Sequence, residues 1–158
     1  MKTIKIEIRW AIIFTVMMLI WMLLERVFGL HDEYIDKHPI FTNFVAIPAI
    51  AVYVLALLDK RDNFYHGKMT YIQGLITGLI ITGMVTVLSP LSQIITSLVI
   101  TPDYFQNAIN YAVSEGKMTQ KAAEEYFNLR SYILQGLIGA PVMGVLTSAI
   151  VAIFTRKK

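Results

Sequence analysis

Four apolar stretches dominate this chain, and each approaches or exceeds the length that a lipid bilayer demands of a helix. Trp10 to Leu24 carries no charge and continues past Glu25 and Arg26 to Leu30. Ile40 to Leu58, Met69 to Pro102 and Tyr132 to Thr155 carry none at all. A spanning helix needs about 20 predominantly apolar residues. The third stretch is longer than one span requires, since roughly 33 residues make about 50 Å of helix against a hydrocarbon core of about 30 Å. Pro90 lies within it, and proline interrupts helical hydrogen bonding. The sequence therefore predicts a third span over about 69–88, then a separate apolar helix from Pro90 to Ile100 that leaves the membrane or lies on its surface.

Composition agrees: 56% of the 158 residues are hydrophobic and 16% are charged, which argues against a soluble monomer and against disorder. The fold class expected is all-α: a four-helix transmembrane bundle forming one domain over 1–158. Its spans lie at about 10–30, 40–58, 69–88 and 132–155. The basic start, Lys2, Lys5 and Arg9 before an apolar run, resembles a signal peptide. No small-residue cleavage site follows, so the reading is an uncleaved anchor.

The net charge of +3 takes its meaning from position. Lys2, Lys5, Arg9, Lys60, Arg61, Lys68, Arg156, Lys157 and Lys158 fall on one side with Glu7, Asp59 and Asp62. That is nine basic against three acidic residues, or +6. The other side holds Arg26, Lys37, Lys117, Lys121 and Arg130 with Glu25, Asp32, Glu33, Asp36, Asp103, Glu115, Glu124 and Glu125. That is five against eight, or −3. The excess of lysine and arginine in cytoplasmic loops puts both termini in the cytoplasm. The basic residues read as orientation signals, and no nucleic-acid partner is expected.

The connection at about 101–131 reads as an extracytoplasmic helical hairpin between the third and fourth spans. Thr101-Pro102-Asp103 has the form of a helix start, Gly116 of a stop, and Thr119 of a second cap. No breaker separates Leu129 from the fourth span, so the second arm is expected to enter the membrane as one long helix. Tyr104, Phe105, Tyr111, Tyr126 and Phe127 give both arms an aromatic face.

Small residues recur every fourth position in two spans: Gly74, Gly78, Thr82 and Thr86 in the third, and Gly136, Ala140, Gly144, Ser148 and Ala152 in the fourth. Lipid supplies no hydrophobic drive for helix pairing, so close backbone approach matters instead. The leading reading pairs these spans within one chain. The other is a homo-oligomer or a membrane-protein partner docked through the small-residue faces and the outer hairpin. The bulky first span is expected to face lipid.

Glu25 and Arg26 are the charges inside a span, and ionisable residues there are costly enough to count as functional candidates. Near the outer boundary, Arg26 can also snorkel and Glu25 pair locally. His31, Asp32, Glu33, Asp36 and His38 include metal-ligating types, but not at the spacing of a zinc-protease helix. The simpler reading is an acidic outer loop, so no metal and no cofactor is assigned. Glu25, Arg26, His31, Asp32 and Glu33 form the candidate polar site. Gln73, Ser89, Gln93, Thr96, Gln135, Thr147 and Ser148 read as interhelical hydrogen-bonding groups. With Pro48, Pro90 and Pro141 they could instead bend helices around a pathway. No nucleophile elbow, phosphate loop, dinucleotide fingerprint or zinc-protease motif is present, and with no cysteine there is no thiol chemistry. No catalytic residue is assigned.

Local sequence and order point to a family. Gly29-Leu30-His31-Asp32-Glu33 follows the charged end of the first span, then come Ile47-Pro48 and Lys60-Arg61-Asp62. Gly67-Lys68-Met69-Thr70, Gln73-Gly74, Ser89-Pro90 and Thr101-Pro102-Asp103-Tyr104-Phe105 follow. Gly116-Lys117-Met118-Thr119 and Thr147-Ser148-Ala149-Ile150 lead to the basic end. The chain resembles the small integral membrane proteins of Bacteroidota catalogued as domain of unknown function 4199. The resemblance implies a bacterial inner-membrane protein with four spans and no established activity or catalytic residues. Its association with lipid-linked glycosyltransferases implies a partner in envelope lipid or glycan assembly.

Three functions are therefore expected, in order. The first is a non-enzymatic subunit or scaffold in envelope lipid or glycan biogenesis. The second is a small transporter or lipid-translocating protein using Glu25, Arg26 and the proline-bent spans. The third is an enzyme acting on a lipid-linked phosphate, with Asp59, Lys60, Arg61 and Asp62 grouped in one pocket.

Overall fold

A computed structural model of the chain describes residues 4–157, so Lys2 and Lys158 of the charge ledger lie outside the described residues. The chain is all-helical: α1 (Lys5–Val27), α2 (His38–Phe41), a 3-10 turn (Thr42–Val45), α3 (Ala46–Asn63), α4 (Tyr71–Ile95), a π turn (Thr96–Ile100), α5 (Tyr104–Ser114), α6 (Gln120–Tyr126) and α7 (Leu129–Thr155). Among the described residues, four helical stretches are long and apolar enough to cross a membrane: Lys5–Val27, His38–Asn63, Tyr71–Ile100 and Leu129–Thr155. Large apolar side chains such as Ile47, Val87, Ile138 and Phe154 point outward from these helices. That is the pattern expected where lipid, not water, is the outer solvent.

The core is built around α4 and α7, which run antiparallel. A Cβ added to Gly74 would meet Ala152 Cβ at 3.3 Å, one on Gly78 would meet Ser148 Cβ at 2.6 Å, and one on Gly144 would meet Thr82 Cβ at 2.9 Å. The pairs advance by four residues on α4 as they retreat by four on α7, so the two stripes mesh tooth for tooth. Farther along, Gly136 faces Ser89. The small-residue faces are thus spent against each other inside one chain. Ala11, Tyr53, Ala56, Leu57, Met69, Ile81 and Val151 complete the core, and Tyr53 bonds Thr82 across α3 and α4 at 2.8 Å. Bulky α1 leaves Ile12, Val16, Ile20 and Leu23 exposed. It buries Glu7, Ala11 and Glu25.

Pro90 does not end the third helix. Proline cannot donate to the carbonyl four residues earlier, here that of Thr86. The Ser89 hydroxyl donates to that carbonyl instead, at 2.9 Å. The helix continues to Ile95 and through the π turn to Ile100, a continuous stretch of 30 residues. At 1.5 Å per residue it is about 45 Å long, which exceeds the hydrocarbon thickness and is accommodated by tilt or projection.

The hairpin also departs from expectation. Asn128 breaks the chain between α6 and α7 and caps both. Its amide donates to the carbonyls of Glu124 and Glu125 at 2.9 and 2.8 Å, while its Oδ1 accepts from Ser131 N at 2.9 Å. α5 starts at Tyr104 after Asp103, with no side-chain cap, and Thr101 is buried. Thr119 does cap α6, and Gly116 turns the chain at φ +64°. Most of the polar groups in the later spans bond within their own helix. Gln73 closes a capping box with Thr70, Gln93 donates to Ser97, Gln135 to Ser131 and Ser148 to the Gly144 carbonyl.

Candidate functional site

The two ends of the bundle treat their charges differently. At the end that gathers the α3–α4 connection and the C-terminal residues, Lys60 and Glu7 form a buried ion pair at 2.8 Å. Asp59 accepts from Arg9 and from Trp10 Nε1, and Arg61 pairs with Asp62 and reaches the Thr155 carbonyl. Met69 and Lys157 exchange backbone hydrogen bonds at 2.8 Å, tying the C-terminal segment to the connection. Asp59, Lys60, Arg61 and Asp62 sit on the last turns of α3: Asp59 is engaged with Arg9 and Trp10, Lys60 with Glu7, and Arg61 and Asp62 with each other.

At the other end, three elements bring two imidazoles onto one carboxylate. α1 finishes in a Schellman motif. Gly29 takes φ +73°, Leu30 N donates to the Glu25 carbonyl and Gly29 N to that of Arg26, both at 2.9 Å. Glycine serves here because left-handed backbone costs other residues a Cβ clash. The motif folds the chain back so that His31 lies over Glu25, with His31 Nε2 3.1 Å from Glu25 Oε2. Lys37 and Pro39 then start α2, and His38 Nε2 comes within 3.3 Å of the same oxygen without the alignment of a hydrogen bond. Trp21 Nε1, one turn earlier on α1, donates to Glu25 Oε1.

The cluster is dry. Glu25 and His31 are each 2% exposed. Tyr104 of α5 packs edge-on against His31 and at a tilt against His38, with ring centroids at 5.1 and 5.3 Å, and Asn107 donates to the His31 carbonyl at 3.0 Å. Burial pushes the Tyr104 phenol above its ordinary range, so it stays neutral; its hydroxyl lies 3.2 Å from that of Tyr132. His31 Nδ1 and His38 Nε2 are buried with no hydrogen-bond partner. Arg26, one residue from Glu25, points away and donates to the Ile100 carbonyl at the end of the π turn.

A separate cavity of about 620 Å³ opens among α1, α3, α4 and α7. It extends from Phe14, Tyr53 and Thr147 toward the end that carries α5 and α6. Its wall is mostly apolar, with Asn43, Ser89, Ser92, Gln93 and Gln135 adding polar groups in its outer part. Gly136, Gly139 and Gly144 lie on its α7 side, and a Cβ at Gly139 would meet nothing within 4 Å. Glu25, Arg26, Pro48, Pro90 and Pro141 are not part of its lining.

With this arrangement in view, comparison with known proteins gives one match. A family model described as "Protein of unknown function (DUF4199)" covers residues 9–157. The chain belongs to the DUF4199 family. No curated protein and no solved structure matches it.

Within this DUF4199 protein, the polar residues singled out by sequence part company. Glu25 and His31 meet. Arg26 serves a helix end, and Asp32 and Glu33 are exposed, with Asp32 Oδ1 accepting from Glu33 N at 2.6 Å. His38, Trp21 and Tyr104 join the cluster without having been grouped with Glu25. One signal was available: Trp21 and Glu25 stand four residues apart on one helix, where side chains meet.

Proposed function

We propose that this DUF4199 protein is a multi-pass protein of the bacterial inner membrane, with both termini cytoplasmic and α5–α6 on the outer face. It performs no chemistry of its own. It acts as a subunit in envelope lipid or glycan assembly by lodging the apolar part of an amphipathic lipid between its spans.

The cavity of about 620 Å³ carries this reading. Ligand sites in membrane bundles lie between helices and combine an apolar wall with a few polar groups. A lipid is the amphiphile that reaches such a cavity from the side. Its tail suits Phe14, Met18, Ile50 and Val85, and its polar end suits Asn43, Gln93 and Gln135. Transport along Glu25 and Arg26 is less well supported, because neither lines the cavity. An enzyme at the opposite end is less well supported too, because Asp59 is engaged with Arg9 and Trp10, Lys60 with Glu7, and Arg61 and Asp62 with each other. With the small-residue faces occupied by each other, α5–α6 is the better candidate surface for a protein partner.

Gly139→Leu tests the reading. A Cβ there meets nothing within 4 Å, so the leucine enters the cavity without a backbone clash. Protein purified in mild detergent and examined by native mass spectrometry should carry a membrane lipid as wild type and lose it in Gly139→Leu, at unchanged melting temperature. Equal lipid retention by the two proteins would count against the cavity as the binding place.

A further inference from the structure

We propose that Glu25, His31 and His38 bind a single divalent first-row transition-metal ion, for which zinc is the fitting probe. The three residues come from the end of α1, from the connection after it and from the start of α2. One carboxylate oxygen and one nitrogen from each imidazole all lie within 4.8 Å of one another.

The two distances from the carboxylate oxygen to the imidazole nitrogens suit a tetrahedral ion. Zinc bonds of about 2.0–2.1 Å to nitrogen and oxygen, opened at the tetrahedral angle, set neighbouring donor atoms about 3.4 Å apart. Glu25 Oε2 stands 3.1 Å from His31 Nε2 and 3.3 Å from His38 Nε2. Two imidazoles and a carboxylate form a donor set that zinc and its first-row neighbours accept, whereas magnesium and calcium require oxygen cages.

A second, independent observation points the same way. Buried polar atoms are almost always partnered, yet His38 Nε2, which faces Glu25 Oε2 at 3.3 Å, is a buried atom without a hydrogen bond. Its approach to the carboxylate is an ion-pair contact. A metal ion satisfies that nitrogen directly. It also sets a positive charge beside buried Glu25, a place Arg26 does not take because it is turned toward Ile100.

The protein ligands number three, so a fourth position stays open to water or to an oxygen ligand. Glu25 also lines an adjoining, largely apolar cavity of about 530 Å³ beside Trp21, Phe28, Lys37 and Phe41. Once seated, the ion would clamp α1 to α2 beneath Tyr104 and Asn107, fixing α5 on the same end of the bundle.

The test uses the full chain in detergent, stripped with a chelator, dialysed and titrated calorimetrically with zinc alone. Wild type should bind one zinc per chain and gain thermal stability, and magnesium and calcium should do neither. His31→Ala and His38→Gln should each weaken zinc by at least about 10- to 100-fold, the loss that even an outer-shell partner causes. His38 is the less buried of the two histidines and the safer variant to fold; its melting temperature without zinc should stay near that of wild type. Asp32→Asn and Glu33→Gln, on exposed acids of the same connection, should leave binding unchanged. The proposal is overturned if wild type takes up no zinc, or if His38→Gln, folded as judged by melting, binds zinc as tightly as wild type.

Discussion

Ser148 of α7 stands so close to Gly78 of α4 that a single added Cβ would sit 2.6 Å from the serine's own Cβ. That contact lies at the centre of an antiparallel seam in which every fourth residue of one helix meets every fourth of the other. Its closeness accounts for glycine at 78, and Ser148 bonds back to the Gly144 carbonyl at 2.6 Å, within its own helix.

Gly78→Leu should therefore separate α4 from α7. Overpacking of a tight contact costs about 1–3 kcal/mol and more where backbone must move. Gly83→Leu, five residues on, is the control, because a Cβ there meets nothing within 4 Å. Unfolding in mixed micelles of rising SDS fraction should show a large loss for the first variant and little change for the second.

The buried pair of Glu7 and Lys60 at 2.8 Å makes a paired prediction. Lys60→Met alone leaves a buried carboxylate without its cation and should destabilise by about 3–5 kcal/mol. Glu7→Leu combined with Lys60→Met removes both charges and should recover most of the loss. If the double variant is as unstable as the single one, the pair is not what fixes α1 to α3.

Asn128 serves two helices at once, so Asn128→Ala removes the cap of α7 and the closing bonds of α6 together. A cap alone is worth about 0.5–2 kcal/mol. The expected result is a lower melting temperature, with faster amide exchange confined to α6 and the first turn of α7. Exchange rising evenly over the chain would argue against a local role.

Orientation can be read from cysteine labelling, since the chain contains no cysteine of its own. Lys68→Cys and Ser114→Cys both place the thiol on exposed positions at opposite ends of the bundle. With the proposed orientation, an impermeant maleimide labels Ser114→Cys in spheroplasts and labels Lys68→Cys only after lysis. The reverse pattern would invert the protein in the membrane.

The spans were legible because their cause is local. A run of uncharged residues is apolar wherever it folds, and its length sets how far it reaches. The four-residue spacing of Gly74, Gly78 and Thr82 and of Gly144, Ser148 and Ala152 was equally legible, as it repeats with the helical turn. The effect of Pro90 is not legible in the sequence, because it depends on a neighbouring hydroxyl, Ser89, taking over the Thr86 carbonyl. Asn128 was overlooked because an isolated asparagine in a helical pattern looks like an exposed helical residue until its side chain finds both helix ends.

The candidate site divides in the same way. By itself the sequence determined that Glu25 lies inside an apolar span and that histidines follow it, since those are facts of order and composition. Only the tertiary structure decided that Glu25, His31 and His38 share one point while Arg26, Asp32 and Glu33 do not. The Schellman turn at Gly29 and the start of α2 fix two chain directions whose meeting no periodicity records, and α5, more than 60 residues later in the chain, closes over them with Tyr104.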